Sequence, residues 1–375
     1  MSEVVDLAAK LVSIPSVSGD EEAILVFLAS WMQEKKFAAI VKTDTFVAGK
    51  IAGSAHSQAV ILSGHIDTVS AGNRADWAQS PWEPVVSADR IVGLGISDMK
   101  AGVAGNLSAA ASLSHEELPF DVWVAGTANE ELDGQGSANF AAWFDENTAY
   151  DATVCVISEP TDLSQIKIGQ RGSHFMTFIF HGTAGHASVQ AHYAVSALAK
   201  AEKFLAALDE ITKKLTAYDD AALGLPTMVP TSIESGNPET PNKTADKATL
   251  IVDFRTNPAF EAVFDSFIGK LAADFDFDYK DVATPVLATL TDGDAGFIKH
   301  LQEVTGVAEL SVSQGSNDQG FFEAIGVPTV IYGPGADAQA HKTNEFALTE
   351  NLNRHVAQLT EFLAAYGHLV SADKI

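Results

Sequence analysis

The chain has 375 residues, 46% hydrophobic and 19% charged, with 23 Lys and Arg against 49 Asp and Glu and a formal net charge of −26. That length exceeds the usual size of one hydrophobic core, so two domains are expected, and the composition excludes a disordered or collagen-like chain. The negative charge repels phosphate backbones and anionic membrane surfaces, which argues against nucleic acid or membrane as partner, and no apolar stretch approaches the roughly 18 residues of a membrane span.

In chain order, MSEVVDLAAK lacks the basic and then apolar pattern of a secretion signal, so a cytoplasmic location is expected. The segment SIPSVSGDEEAILVFLASWMQEKKF opens on turn residues and places Ser18 three positions before Glu21, the spacing of a capping box ahead of an amphipathic helix. Short apolar runs then alternate with helical patterns: AVILSG, AGVAGNLSAAASL, VWVAGT and ATVCVIS. This rhythm predicts an α/β fold with a mostly parallel sheet and flanking helices. The single cysteine, Cys155, falls inside VCVIS, so no disulfide forms within the chain and a buried, inert thiol is expected.

Near Gly169 the pattern changes to HFMTFIFHG, an alanine-rich helical stretch over 191–215, and KATLIVDFRT with Leu250, Val252 and Phe254 alternating. These features predict a smaller α+β domain over 169–285, inserted in a larger one formed by 1–168 and 286–375. SGNPETPNKTADK is rich in turn formers and reads as a loop between two strands. The α/β rhythm resumes with VPTVIYGPG as a buried strand and ALTENLNRHVAQLTEFLAAY as a closing helix.

In an open parallel sheet the ligand site lies beyond the carboxyl ends of the strands. There AVILSG runs into His65 and Asp67, VWVAGT into Glu130 and Glu131, ATVCVIS into Glu159, and VPTVIYGPG, after a short loop, into His341; GLGISDMKAG adds Asp98 in a glycine-bounded loop. Taken singly, each has an ordinary explanation: a hydrogen-bonded histidine, a solvated Glu-Glu pair, an aspartate capping a helix. Together they form a nitrogen and oxygen ligand set without sulfur, which suits hydrolytic zinc, with cobalt or manganese as substitutes. So many converging carboxylates would otherwise force at least one to stay protonated. The His65-x-Asp67 spacing suits a carboxylate that orients the imidazole.

The segments SGHIDTV, GLGISDMKAG, TANEELDG, ISEPTDL, HGTAGHAS and AHKTNE, in that order, resemble the dinuclear zinc aminoacylases and exopeptidases that include succinyl-diaminopimelate desuccinylase and acetylornithine deacetylase. The resemblance spans essentially the whole chain and implies a zinc-exopeptidase-like catalytic domain with an inserted lid or dimerisation domain. It further implies that His65 and Glu159 hold one zinc, Glu131 and His341 the other, and that Asp98 bridges them. Glu130 would be the general base, Asp67 would support His65, and the Asp98–Met99 peptide would be cis. His186 in HGTAGHAS would reach the partner subunit's site and help hold the oxyanion, which makes a homodimer the expected assembly.

For the substrate, a small N-acyl amino acid, Arg171 in GQRGS and Arg255 in DFRTNP match bidentate recognition of a free carboxylate. They resemble the substrate-binding arginines of the desuccinylases, and Asn242 in TPNKT resembles their loop asparagine. The arginine pair and HKTNE favour a desuccinylase; GLGISDMK and SEPTDL look more like the deacetylase branch, and SNDQGFF departs from both. A deacetylase or dipeptidase on the same scaffold is the alternative. No G-x-S-x-G elbow occurs, and GLGISD carries only the first two glycines of a dinucleotide-binding turn.

Overall fold

A computed structural model describes residues 2–113 and 118–369, with side chains to residue 365. The chain divides into two compact units. One runs from the N-terminus to Gly169 and takes in Thr291–Val312 and the chain from Asn317 onward; the other comprises Gln170–Leu290 and Ser313–Ser316.

The larger unit is built on a sheet whose neighbouring strands are, in order, Ala39–Lys42, Phe46–Ile51, Asp121–Thr127, Gln58–His65, Ala152–Ile157, Thr329–Ile331 and Ile166–Gln170. Gln58–His65 is parallel to both Asp121–Thr127 and Ala152–Ile157, and Thr329–Ile331 is parallel to Ala152–Ile157. The remaining pairings on this path are antiparallel. These parallel strands are covered on both faces, which is why they read as unbroken apolar runs. Their side chains alternate between two cores. Val60, Leu62, Val122 and Val124 meet Leu11, Val103, Leu107 and Leu359 on one face, while Ile61 and Trp123 meet Phe140, Phe144 and Phe322 on the other. Two glycines allow close approach behind the strand Ala152–Ile157: a Cβ on Gly102 or on Gly333 would stand 2.2 Å from the Ser158 carbonyl oxygen.

The expected capping box does not form. The helix begins at Glu22 with no side-chain cap; Ser18 instead donates to Asp67, and Glu21 accepts the Gly19 and Asn129 amides. These long-range partners outcompete the local cap. The closing helix is Thr349–Leu369. Among the described residues no helix is long and apolar enough to cross a membrane.

The smaller unit is an antiparallel sheet in the order Thr227–Ser235, Lys247–Thr256, Gly172–His181, Phe277–Asp281. Lys247–Thr256 buries alternate residues, as its sequence implies. Its core is aromatic, with Phe178 stacked on Phe277 at 4.3 Å and Phe204 edge-on to Phe178 at 5.6 Å. The helical stretch expected over 191–215 is broken into Gln190–Ala194, Ala197–Ala206 and Leu208–Lys213, followed by a 3-10 turn. Ser196 caps the second of these helices by accepting the Ala199 amide.

Candidate metal centre

Parallel strands deliver their carboxyl ends to one edge, and the chain turns there with ligand-type residues. His65 is the last residue of its strand, Glu130 and Glu131 follow Asp121–Thr127, and Glu159 follows Ala152–Ile157 by two residues. Asp98 stands in the turn before the helix Ala101–Ser112, and the Asp98–Met99 peptide is cis. The side chains converge. His65 Nε2 lies 3.1 Å from Asp98 Oδ1 and 3.5 Å from Glu159 Oε1. The other Asp98 oxygen, Oδ2, lies 3.6 Å from His341 Nε2, which is itself 3.0 Å from Glu131. His65, Asp98 and Glu159 thus form one compact set and Asp98, Glu131 and His341 another, with Asp98 common to both, and Glu130 comes together with His65 and Glu131 in a third.

The cluster carries more negative charge than a dry site tolerates. Burial pushes the Glu130 carboxyl well above its ordinary range, and Asp318, Asp98 and Glu131 add to this against the pull of His65. Burial and then Asp98 raise Glu159 likewise, and burial raises Glu131. Burial opposes charge on His65, yet Glu159, Asp67 and Asp98 outweigh it and hold the imidazole well above its usual value. Asp98 is also resisted by burial but is drawn below the usual range by His65. Five acidic and imidazole ligands with no sulfur, crowded until the Glu131 and Glu159 carboxyls favour protonation, fit divalent cations that would remove that repulsion.

Asp67 organises this edge. Its carboxylate, fully buried, accepts the amides of Glu130 at 3.1 Å and Glu131 at 3.2 Å and the Ser18 hydroxyl at 2.7 Å. His65 Nδ1 lies 3.5 Å away and bonds the Asp67 carbonyl at 3.1 Å. One residue therefore orients both an imidazole and the loop bearing two glutamates. The reading of the sequence assigned Asp67 only the first task. It also missed Asp318, in SNDQGFF, whose buried carboxyl accepts the Ser137 hydroxyl at 2.6 Å and is pushed up to about 6 by burial. An aspartate in a short polar turn immediately before a helix was the available signal. Glu345, in AHKTNE, was likewise given no role; burial and the nearness of Asp98 raise its carboxyl to about 8 against three amide donors.

The other four singled-out residues belong to the smaller unit. His186 is exposed, its Nδ1 engaged by Ser188, and it bridges Lys243 beside Asn242, whose carbonyl accepts the Ala187 amide. Arg171 and Arg255 are neighbours: Arg171 Nη2 donates to the carbonyls of Leu225 at 2.7 Å and Arg255 at 3.2 Å. Arg255 pairs with Asp253 at 2.9 Å and lies over the Phe175 ring.

An α/β sheet edge bearing two ligand sets that share an aspartate is the architecture of a metal-dependent hydrolase. Residues 61–365 match the profile of peptidase family M20/M25/M40, and the chain belongs to this family, whose members are metallopeptidases and amidohydrolases acting on amide bonds. It is 25% identical over 380 residues to a succinyl-diaminopimelate desuccinylase of Wolbachia pipientis wMel, covering 96% of this chain and 93% of that protein. It is also 25% identical over 359 residues to an acetylornithine deacetylase of Aliivibrio salmonicida, covering 90% and 91%. Among solved structures it resembles an M20 metallo-carboxypeptidase from Sulfolobus solfataricus, with TM-score 0.77 and 18% identity over 98% of this chain and 100% of that one. A dinuclear metal-binding M20 peptidase from Bacillus subtilis superposes with TM-score 0.69 at 16% identity over 98% of each chain.

Proposed function

We propose that this chain hydrolyses the amide bond of a small N-acyl amino acid, with a dicarboxylic acyl group such as succinyl favoured, using two zinc ions. The observation that carries this reading is Asp98, whose two oxygens face different imidazoles, 3.1 Å from His65 and 3.6 Å from His341. His65 and Glu159 would hold one ion, Glu131 and His341 the other, with Asp98 between them. A bound pair of such ions supplies Lewis acidity and lowers the pKa of an attacking water toward neutrality.

The protein's own groups supply the rest. Glu130 is assigned no ion in this reading, and its place on the loop beside the ligand sets suits a general base that takes the water's proton and delivers it to the leaving amine nitrogen. Asp67 holds Glu130 and His65 in register. In the smaller unit, which we assign as the lid and dimerisation domain, His186 is exposed with Nε2 free of hydrogen bonds among the described residues. This suits its assignment as an oxyanion donor to the partner subunit of a homodimer. Arg171, Arg255 and Asn242 would bind the substrate, the arginines its carboxylate.

The test is metal analysis coupled to a substrate panel of N-succinyl-diaminopimelate, N-acetylornithine and simple dipeptides. Two metal equivalents and a clear preference for the succinyl compound are expected. Comparable rates on all three would defeat the acyl assignment, and a preference for N-acetylornithine would transfer it to the deacetylases.

A further inference from the structure

Glu345 has a geometry that none of the roles above uses. Its side chain is buried at 1% exposure, and its carboxyl group accepts three backbone amides, from Gly95 at 2.8 Å, Ser97 at 2.6 Å and Asp98 at 2.9 Å. All three donors belong to the turn that carries Asp98, while Glu345 itself stands four residues after His341.

The two segments are joined along their length. Phe346–Leu348 pairs antiparallel with Arg90–Val92, and the Gly93 amide donates to the Glu345 carbonyl at 2.9 Å. Past Gly93 the chain bends, with Gly95 at φ 75°, and a backbone ladder cannot follow it. From there the Glu345 side chain takes over the acceptor role. Ser97 and Ala336 add two reciprocal bonds, at 3.2 and 2.8 Å. On the far side of Asp98, the fully buried Lys100 donates from Nζ to the carbonyls of Leu11 and Ile14, each at 3.1 Å.

The ligands differ in how firmly the sheet holds them. His65 ends a central strand and Glu159 follows another by two residues, whereas His341 lies ten residues past Ile331, exposed and at φ 60°. No strand fixes the distance between His341 and Asp98. Among the described residues, the Glu345 and Ser97 side chains tie the one segment to the other, and Glu345 is the one that receives the Asp98 amide itself.

We propose that Glu345 is a positioning residue that sets the spacing of Asp98 and His341, and thereby the affinity of the Asp98–Glu131–His341 set for its metal. The inference rests on the two-metal reading above. Residues that orient ligands in this way are worth about 10–100-fold in metal affinity, and here the loss should fall chiefly on the ion of Glu131 and His341, since the other shares only Asp98 and keeps His65 and Glu159 on their strands.

The test is titration of metal-stripped wild type and Glu345→Gln with Zn²⁺ against a chromophoric chelator, together with the visible spectrum of the Co²⁺-loaded proteins. Wild type should bind two equivalents. Glu345→Gln should bind the first within a few-fold of the wild-type affinity and the second about 10–100-fold more weakly, with the Co²⁺ bands of the second equivalent shifted. Two wild-type affinities and an unchanged spectrum would overturn the proposal, as would equal weakening of both ions. Fewer than two equivalents in wild type would instead sink the two-metal reading. Should the variant not fold, hydrogen exchange on metal-stripped wild type decides the matter: the Gly95, Ser97 and Asp98 amides should be protected, and rapid exchange there would refute the tether.

Discussion

Asp67→Asn isolates the residue that holds the site together, because it preserves shape while removing one acceptor and the charge. The two carboxylate oxygens receive two backbone amides, a hydroxyl and the approach of an imidazole. Asparagine keeps a single acceptor oxygen and turns an NH2 toward one of the Glu130 and Glu131 amides. The Ser18 hydroxyl can rotate to accept, but a backbone N–H cannot. Leaving one buried amide unsatisfied costs about 1–3 kcal/mol, and weakening the remaining charge-assisted bonds adds about 1 kcal/mol. The expected loss is therefore roughly 2–4 kcal/mol, or a fall of about 4–16 °C in melting temperature at 2–4 °C per kcal/mol for a unit of this size. Thermal unfolding of the metal-stripped protein at pH 7 measures it. Because the Asp67 pKa is lowered in the fold by its hydrogen bonds against burial, its contribution is complete above the unfolded value of about 3.9 and disappears as pH falls through the folded value. The gap between wild type and variant should thus narrow in acid. A variant that melts within about 1 °C of wild type at pH 7, well below the shift calculated above, would refute the hub role.

The metal-stripped protein should lose stability as pH rises from about 5 to 7, since Glu130, Glu131, Glu159, Asp318 and Glu345 all bind protons more tightly folded than unfolded. His355 and Lys100, pushed down by burial to about 3 and about 7, act in the opposite sense but are outnumbered by the raised carboxyls, and urea titrations at the two pH values with and without Zn²⁺ read the balance. Glu130→Gln should retain both metal equivalents while turnover falls by about 10²–10⁴, measured by metal analysis and initial rates; full activity would remove it as the base. His341→Ala should lower occupancy of one ion, detected by the same titration. Arg171→Ala should raise KM for a succinyl substrate by about 10–100-fold and leave that for an acetyl substrate within a few-fold, and equal effects on both would contradict carboxylate recognition.

The sequence by itself determined the class of fold and the edge at which the chemistry gathers. Period-two burial in KATLIVDFRT and unbroken apolar runs in AVILSG and VWVAGT are local consequences of which faces must leave water, so they can be read from neighbouring residues alone. The convergence of His65, Asp98, Glu131, Glu159 and His341 was legible for a related reason: each follows an apolar run or sits in a glycine-bounded turn, and parallel strands must bring such positions to one edge.

What only the tertiary structure decided were the contacts whose partners lie far apart in the chain. Ser18 and Glu21 have the spacing of a capping box, yet they serve Asp67 and Asn129, 49 and 108 residues away. Glu345 stands about 250 residues from the amides it accepts, and Asp318 stands 181 residues from Ser137. No local pattern marks such pairs. A buried carboxyl must find donors wherever folding brings them, and which donors arrive is settled by packing of the whole sheet rather than by the residues on either side.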